Sequence, residues 1–299
     1  MLIIAFFICA LLALLAAATH IDEVLSKAKS GDADAQYDLA EAFMRGDGIP
    51  KNEEEAVKHL LEAAKQGHAK AQFKLGYCHE YGIGVSVDYA IAAKWYQMGA
   101  DQEYPPAQCY LGRCYISGTG LAINHTEAVR LFKMAAEQGH DLAQSNLGYC
   151  YENGIGIPVN HVEAAKWYFR AAEQGFPAAQ TNLALCYIRG EGVSENYEAA
   201  AEWLIKAAEQ GHARAQSLLG DCYTNGAGVR MDVAEAVRWY QEGAHQGDAQ
   251  AQCSLGKCYY HGSGLLQDYI EAVKWFRLAA ERGLAEAQAY LGVESQTLV

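Results

Sequence analysis

The chain is short of positive charge: 23 lysines and arginines face 36 aspartates and glutamates, a formal net charge of -13. No basic stripe is gathered on one face, and such a surface repels a polyanion, which excludes nucleic acid as a partner. Phosphate-binding loops are missing too, since no glycine-rich turn ends in Gly-Lys-Ser/Thr or carries a third glycine. There is no His-Glu-x-x-His and no close cysteine/histidine cluster, so no metal and no cofactor is expected. Nor does any set of residues supply a nucleophile, a base and an orienter, which points away from an enzyme. What the chain does have is apolar residues, 51% of its composition, enough for a sizeable core.

The apolar content is concentrated first at the N-terminus. Leu2 to Ala18 are all apolar and end in Ala16-Ala17-Ala18, small residues at the positions a signal peptidase reads. Residues 1–18 therefore read as a signal peptide, although only the α-amino group of Met1 supplies positive charge. The segment also reaches the lower edge of bilayer-spanning length, so an uncleaved anchor, with membrane association through it, stays open. The expected location is the secretory pathway, the periplasm or the exterior, with membrane anchoring as the alternative.

Beyond this segment one spacing organises the chain. Ala-Gln begins at Ala35, Ala71, Ala107, Ala143, Ala179, Ala215, Ala251 and Ala287, always 36 residues apart, without insertion or deletion. In one unit, Ala143, Leu147, Cys150 and Tyr151 share a helical face. Gly154 and Gly156 end that helix, and Pro158 lies beyond its stop. Asn160 then caps a second helix, and Glu163 three residues on predicts a capping box. Ala164, Trp167, Tyr168 and Ala171 form its apolar face, which Gly175 closes. The cap recurs as Asn52, Asp88, Asn124, Asn196, Asp232 and Asp268. The spacing predicts an all-α fold, a right-handed superhelical solenoid of helix-turn-helix repeats. A capping helix is expected within 19–34, seven repeats over 35–286, and a partial eighth repeat or C-terminal cap over 287–299.

The pattern Ala-x-Ala-Gln-x-x-Leu-Gly-x-Cys-Tyr, Gly-x-Gly, Asn/Asp cap, Glu-Ala, Lys-Trp-Tyr and Ala-Ala-Glu-Gln-Gly resembles the Sel-one-like repeat, a relative of the tetratricopeptide repeat. The resemblance implies a superhelical scaffold that holds protein partners, as among adaptors of endoplasmic-reticulum quality control, regulators of cell-wall synthesis and bacterial secreted proteins. It implies no single partner and no oligomeric state. Some secreted members are cysteine-rich with disulfide-linked helix pairs, but a second repeated cysteine column is lacking here, in tension with an exported location. The alternative function is a secreted cell-wall-ligand binding protein or weak hydrolase.

Repetition also answers the residues that look reactive. Seven Gly-x-Gly pairs at equivalent positions read as turns. Cys78, Cys114, Cys150, Cys186, Cys222 and Cys258 form a column three residues after a repeat leucine, placing them on the buried face as small hydrophobes. Equivalent cysteines in packed helices are too far apart to bridge, and Cys109 and Cys253 diverge from their column neighbours. His68, His140 and His212 follow Gln-Gly at a helix end and read as caps. Trp95, Trp167, Trp203, Trp239 and Trp275 read as inter-repeat packing. Asn124-His125-Thr126 is a glycosylation sequon whose asparagine is also a predicted cap.

Function is expected where a unit departs from its own pattern on the concave, first-helix surface. The position after the repeat glycine reads Tyr77, Arg113, Tyr149, Leu185, Asp221 and Lys257. Three residues earlier stand Lys74, Tyr110, Asn146, Asn182, Leu218 and Ser254. One helical turn apart, these form adjacent stripes. In the wider superfamily such asparagines, lysines and arginines hold an extended peptide, which makes Tyr110, Arg113, Asn146, Tyr149 and Asn182 the candidate partner-binding groove for a protein or extended peptide. A second irregularity is Gln102-Glu103-Tyr104-Pro105-Pro106, where the helix-ending glycine is absent and two prolines are expected to fix an extended entry.

Overall fold

The computed structural model of the chain describes residues 21–297, with side chains through residue 292. The leader or anchor expected over residues 1–18 lies outside the described residues. Every regular element among them is a helix, 16 in all, with no strand. The chain divides into two compact units, one reaching Ala143 and including Ile155–Ile157, the other made of Gln144–Gly154 and everything from Pro158 on.

The first unit holds α1 (21–29), α2 (Ala33–Arg45), α3 (Glu53–Lys65), α4 (Ala69–Tyr81), α5 (Tyr89–Asp101), α6 (Pro105–Ser117), α7 (His125–Glu137) and the start of α8 (Asp141–Asn153). The second continues α8 and adds α9 (His161–Glu173), α10 (Pro177–Arg189), α11 (Tyr197–Glu209), α12 (Ala213–Asn225), α13 (Val233–His245), α14 (Ala249–His261), α15 (Tyr269–Glu281) and α16 (Ala285–Thr297). From α2 to α7, and again from α9 to α16, each helix packs on the one before and the one after it, which is the stacking of a solenoid. Even-numbered helices are the first of a pair and odd-numbered helices the second.

Each pair is specified locally. The seven predicted Asn/Asp caps all accept the backbone N–H three residues on, as in Asn160 from Glu163 at 3.1 Å. The expected capping box is not formed. The N–H of the Asn160 cap donates instead to the carbonyl of Tyr151 (2.9 Å), near the end of the preceding helix, and the same bond recurs at all seven caps. With that donor already taken, the glutamate turns outward to a cation three residues further on: Glu55 to Lys58, Glu127 to Arg130, Glu163 to Lys166. The cap thus ties two helices together while the glutamate serves an exposed, solvent-screened ion pair that adds little to stability.

Packing between the two helices of a pair follows a rule of volume. Where the first helix carries glycine, the second carries an aromatic ring in the space a Cβ would occupy: Gly76 against Tyr96, Gly112 against Phe132, Gly148 against Tyr168, Gly220 against Tyr240 and Gly256 against Phe276. The equivalent positions with alanine, Ala40 and Ala184, stand in the same clusters as Leu60 and Leu204. The repeat glutamine is buried as well, and it bridges neighbouring pairs. Gln180 donates to the carbonyl of Ala172 in the pair before it (3.1 Å) and accepts from Gln210, at the end of its own second helix (2.9 Å). Gln36 accepts from Gln66 in the same way at 2.8 Å. The ladder stops at the last repeat, where Arg282 replaces the donor and Gln252 Oε1 is left buried without a partner.

The proline segment differs from its expectation. Pro105 and Pro106 are the first two residues of α6, where proline's missing N–H costs nothing; the extended residue is Tyr104, with φ -75° and ψ 112°. Glu103 takes the left-handed place that glycine holds at Gly67 or Gly139, with φ 59°.

The His140 cap makes stability depend on pH. His68 Nδ1 accepts from Ala71 N–H (3.0 Å) and His140 Nδ1 from Ala143 N–H (3.2 Å), whereas His212 instead meets Thr181 Oγ1 at 2.9 Å. Burial lowers the pKa of His140, and of His212 and His59. A depressed histidine means the unfolded chain binds protons more readily. Stability is therefore full above the unfolded value of about 6.5 and is lost as pH falls through it. His140→Asn, which caps without titrating, is expected to flatten part of that decline in thermal unfolding followed from neutral pH downward.

Candidate functional site

On the first helices the fold occupies one face and leaves another. In α10, Ala179, Gln180, Leu183 and Cys186 are buried, while Asn182 is half-buried and makes no hydrogen bond among the described residues. Tyr149 on α8 is 51% exposed, a large aromatic side chain that the packing does not use. Asn146 is half-buried one turn before it. These three lie in the second unit, and Tyr110 and Arg113 lie in the first.

Tyr110 and Arg113 do meet. The Arg113 guanidinium sits 4.7 Å from the Tyr110 ring centroid, and Tyr110 packs among Phe73 (5.1 Å), Tyr96 (5.5 Å) and Tyr77 (6.0 Å). Tyr110 is therefore also a packing residue, joining three helices. Arg113 reaches Glu80 on the preceding first helix, at 3.9 Å.

Around that glutamate lies an arrangement that the sequence pattern did not lead us to expect. The Tyr96 hydroxyl, passing beside Gly76, donates to Glu80 at 2.5 Å. In the second unit Tyr168 donates to Glu152 at 2.6 Å, and Arg189 stands 3.8 Å from the same carboxyl group. Tyr240 donates to Asp221 at 2.7 Å and lies 3.1 Å from the Thr224 hydroxyl. Burial pushes all three tyrosines up, the carboxylates adding to it, so the hydroxyls keep the protons they donate. Burial also raises Asp221, against the pull of Tyr240 and Lys257. Every second repeat thus presents a carboxylate braced from below by tyrosine. The signal was present in the sequence: where the second helix has Leu60, Phe132, Leu204 or Phe276, the position of Glu80 and Glu152 is Met44, Ile116, Ile188 or Tyr260.

None of this assembles an attacking group. All eight described cysteines are buried, and burial pushes up the thiols of the repeat column, Cys78 to about 12 and Cys150 to about 11, away from thiolate chemistry. Among the described residues no group of three or more histidine, cysteine, aspartate or glutamate side chains could hold a metal ion. No described helix is long and apolar enough to cross a membrane.

The fold and this face define a class: an all-helical repeat protein with a variable polar and aromatic stripe on its first helices. The Sel1 repeat model matches seven times without a gap, at residues 33–68, 69–104, 105–140, 141–176, 177–212, 213–248 and 249–284, and the chain belongs to the Sel1 repeat family. Its structure is similar to that of a protective antigen of uropathogenic Escherichia coli strains displaying an SLR fold, with 35% identity and TM-score 0.77 over 91% of this chain. The chain spans 58% of that antigen's length. It is also similar to a Sel1 repeat protein from Oxalobacter formigenes, with 34% identity and TM-score 0.74 over 82% of this chain and 96% of the other. A search of curated proteins returned no match. Sel1 repeats are in general non-catalytic scaffolds for protein–protein interaction.

Proposed function

We propose that the chain is a scaffold or adaptor that captures an extended segment of a partner protein along its first-helix stripe. The observation that carries this is the contrast within one face. Repeat residues are committed to packing, while Tyr149 stands exposed and the Asn182 carboxamide, half-buried, has both donor and acceptor unused among the described residues. A carboxamide of that kind can pair with a peptide backbone that offers N–H and C=O together. Arg113 and Arg189, partly exposed beside Glu80 and Glu152, would add charge-assisted contacts.

Tyr110 is a poor probe of this reading because its loss would also unpack Phe73 and Tyr96. Tyr149→Ala and Asn182→Ala are clean probes. Each is expected to reduce partner recovery in proximity labelling with the intact chain while moving thermal unfolding by less than about 0.5 kcal/mol, as surface substitutions do. Equal loss of binding and stability, or no loss of recovery, would sink the assignment.

We further propose that the protein works at an exported or membrane-associated site, on the strength of the apolar run from Leu2 to Ala18. N-terminal sequencing of the mature chain tests it: a new terminus near Thr19 supports a cleaved leader, an intact Met1 in the membrane fraction supports an anchor, and an intact Met1 in the soluble fraction opposes both.

A further inference from the structure

The tryptophans of the second helices are not covered alike. In the second unit Trp203 is met edge-on by Phe169 of the preceding pair, with ring centroids 6.1 Å apart. Trp275 is met edge-on by His245 at 5.5 Å. Around Trp239 the residue equivalent to Phe169 is Ile205, and the residue equivalent to His245 is Glu209. Neither brings a ring. A cleft of about 830 Å³ opens there, lined by Ile205, Glu209, Tyr223, Met231 and Trp239 among others. A second cleft of about 430 Å³ shares Glu209 and Trp239 and extends to Glu242.

Two further features mark the place as unfinished. Trp239 Nε1 is shut away from solvent without an acceptor, which leaves a donor's desolvation uncompensated. Glu209 and Glu242 form no ion pair among the described residues, whereas Arg238, which lines both clefts 4.6 Å over the Trp239 ring, is held by Glu235 at 3.1 Å. The larger cleft, with its aromatic and aliphatic side chains, is also lined by Arg230 and Asp232, and the unneutralised negative charge lies in the smaller cleft, at Glu209 and Glu242, on a chain whose net charge is already -13.

We propose that this paired cleft is a second binding site, on the second-helix side of α11 to α13, for a partner peptide carrying a large apolar residue next to a lysine or arginine. The apolar side chain takes the place that Phe169 takes against Trp203. The basic side chain goes to Glu209 and Glu242, and a peptide carbonyl, as Arg238 shifts, accepts from the indole N–H. Nothing in this depends on the first-helix stripe.

A positional-scanning library of soluble nonapeptides is the probe, read as binding to the full chain, with the best peptide then titrated by fluorescence anisotropy. Wild type is expected to select Leu, Met or Phe beside Lys or Arg. Ile205→Phe, which fills the cleft as Phe169 does one repeat earlier, should lower affinity at least tenfold. Glu209→Gln with Glu242→Gln should abolish the preference for a basic residue and keep the apolar one. Trp239→Phe, which keeps a ring and removes the donor, should weaken binding about fivefold. Tyr149→Ala and Asn182→Ala should leave it unchanged. No selection for the apolar-basic pair, or the same selection by the glutamine double variant, overturns the proposal; because those two positions carry no structural ion pair, that variant remains decisive even if Ile205→Phe does not fold.

Discussion

Gly228→Ala is expected to cost about 3 kcal/mol or more, the sum of a left-handed non-glycine residue and an overlap that cannot relax. Gly228 has φ 72°, and a Cβ there would run into the carbonyl of Tyr197 and the amide of Glu198, the first residues of α11. These are backbone atoms of a capped helix, so no side chain can swing aside. The same approach recurs in the first unit, Gly84 on Glu53 and Gly120 on Tyr89, which makes it a property of the turn and not of one repeat. Gly211→Ala is the control. Its φ is 83° but nothing lies within 4 Å of the added Cβ, so only the conformational cost of about 1 kcal/mol applies. Because a solenoid need not unfold in one step, the comparison is best made by hydrogen exchange of the α11 and α12 amides alongside guanidinium unfolding. Equal effects of the two substitutions would show that the turn is not in fact clamped against the preceding helix.

The contrast between those two glycines shows what was legible and what was not. Period, helix boundaries and the seven caps follow from local chemistry, so Asn160, Gly175 and the Ala-Gln register could be read directly from the order of residues. Contacts between repeats could not be read in the same way. Gly154 and Gly156 look alike in sequence, yet the first ends a helix and the second is needed because His125 of the preceding pair passes beside it. Glu163 fits a capping box until the Tyr151 carbonyl is seen to hold the cap's N–H first. Of the candidate stripe, Tyr149 is exposed and Asn182 half-buried, while Tyr110 is drawn into an aromatic cluster whose other members lie 14 to 37 positions earlier. Glu103 had the clearest warning, a missing glycine, but only the backbone shows that the turn keeps its left-handed form without it.

Alternation between repeats gives the second large effect. Phe132 lies against Gly112 as Tyr168 lies against Gly148, and the residue four positions after the glycine is Ile116 in one case and Glu152 in the other. Phe132→Tyr alone places a hydroxyl among apolar groups without a partner, and is expected to cost about 1 to 3 kcal/mol. Ile116→Glu alone half-buries a carboxylate with no donor and is expected to cost a similar amount. Together they rebuild the pair seen at 2.6 Å between Tyr168 and Glu152. A hydrogen bond to a charged group contributes about 1.5 to 3 kcal/mol, so the double variant should be more stable than the sum of the single losses by at least about 1 kcal/mol in a double-mutant cycle. Additive losses would mean that the tyrosine and the acid share a repeat without supporting one another. A positive coupling would establish that carboxylates on the first-helix face are placed from beneath, by the second helix, and that moving the tyrosine to a new repeat moves the acid's position along the face with it.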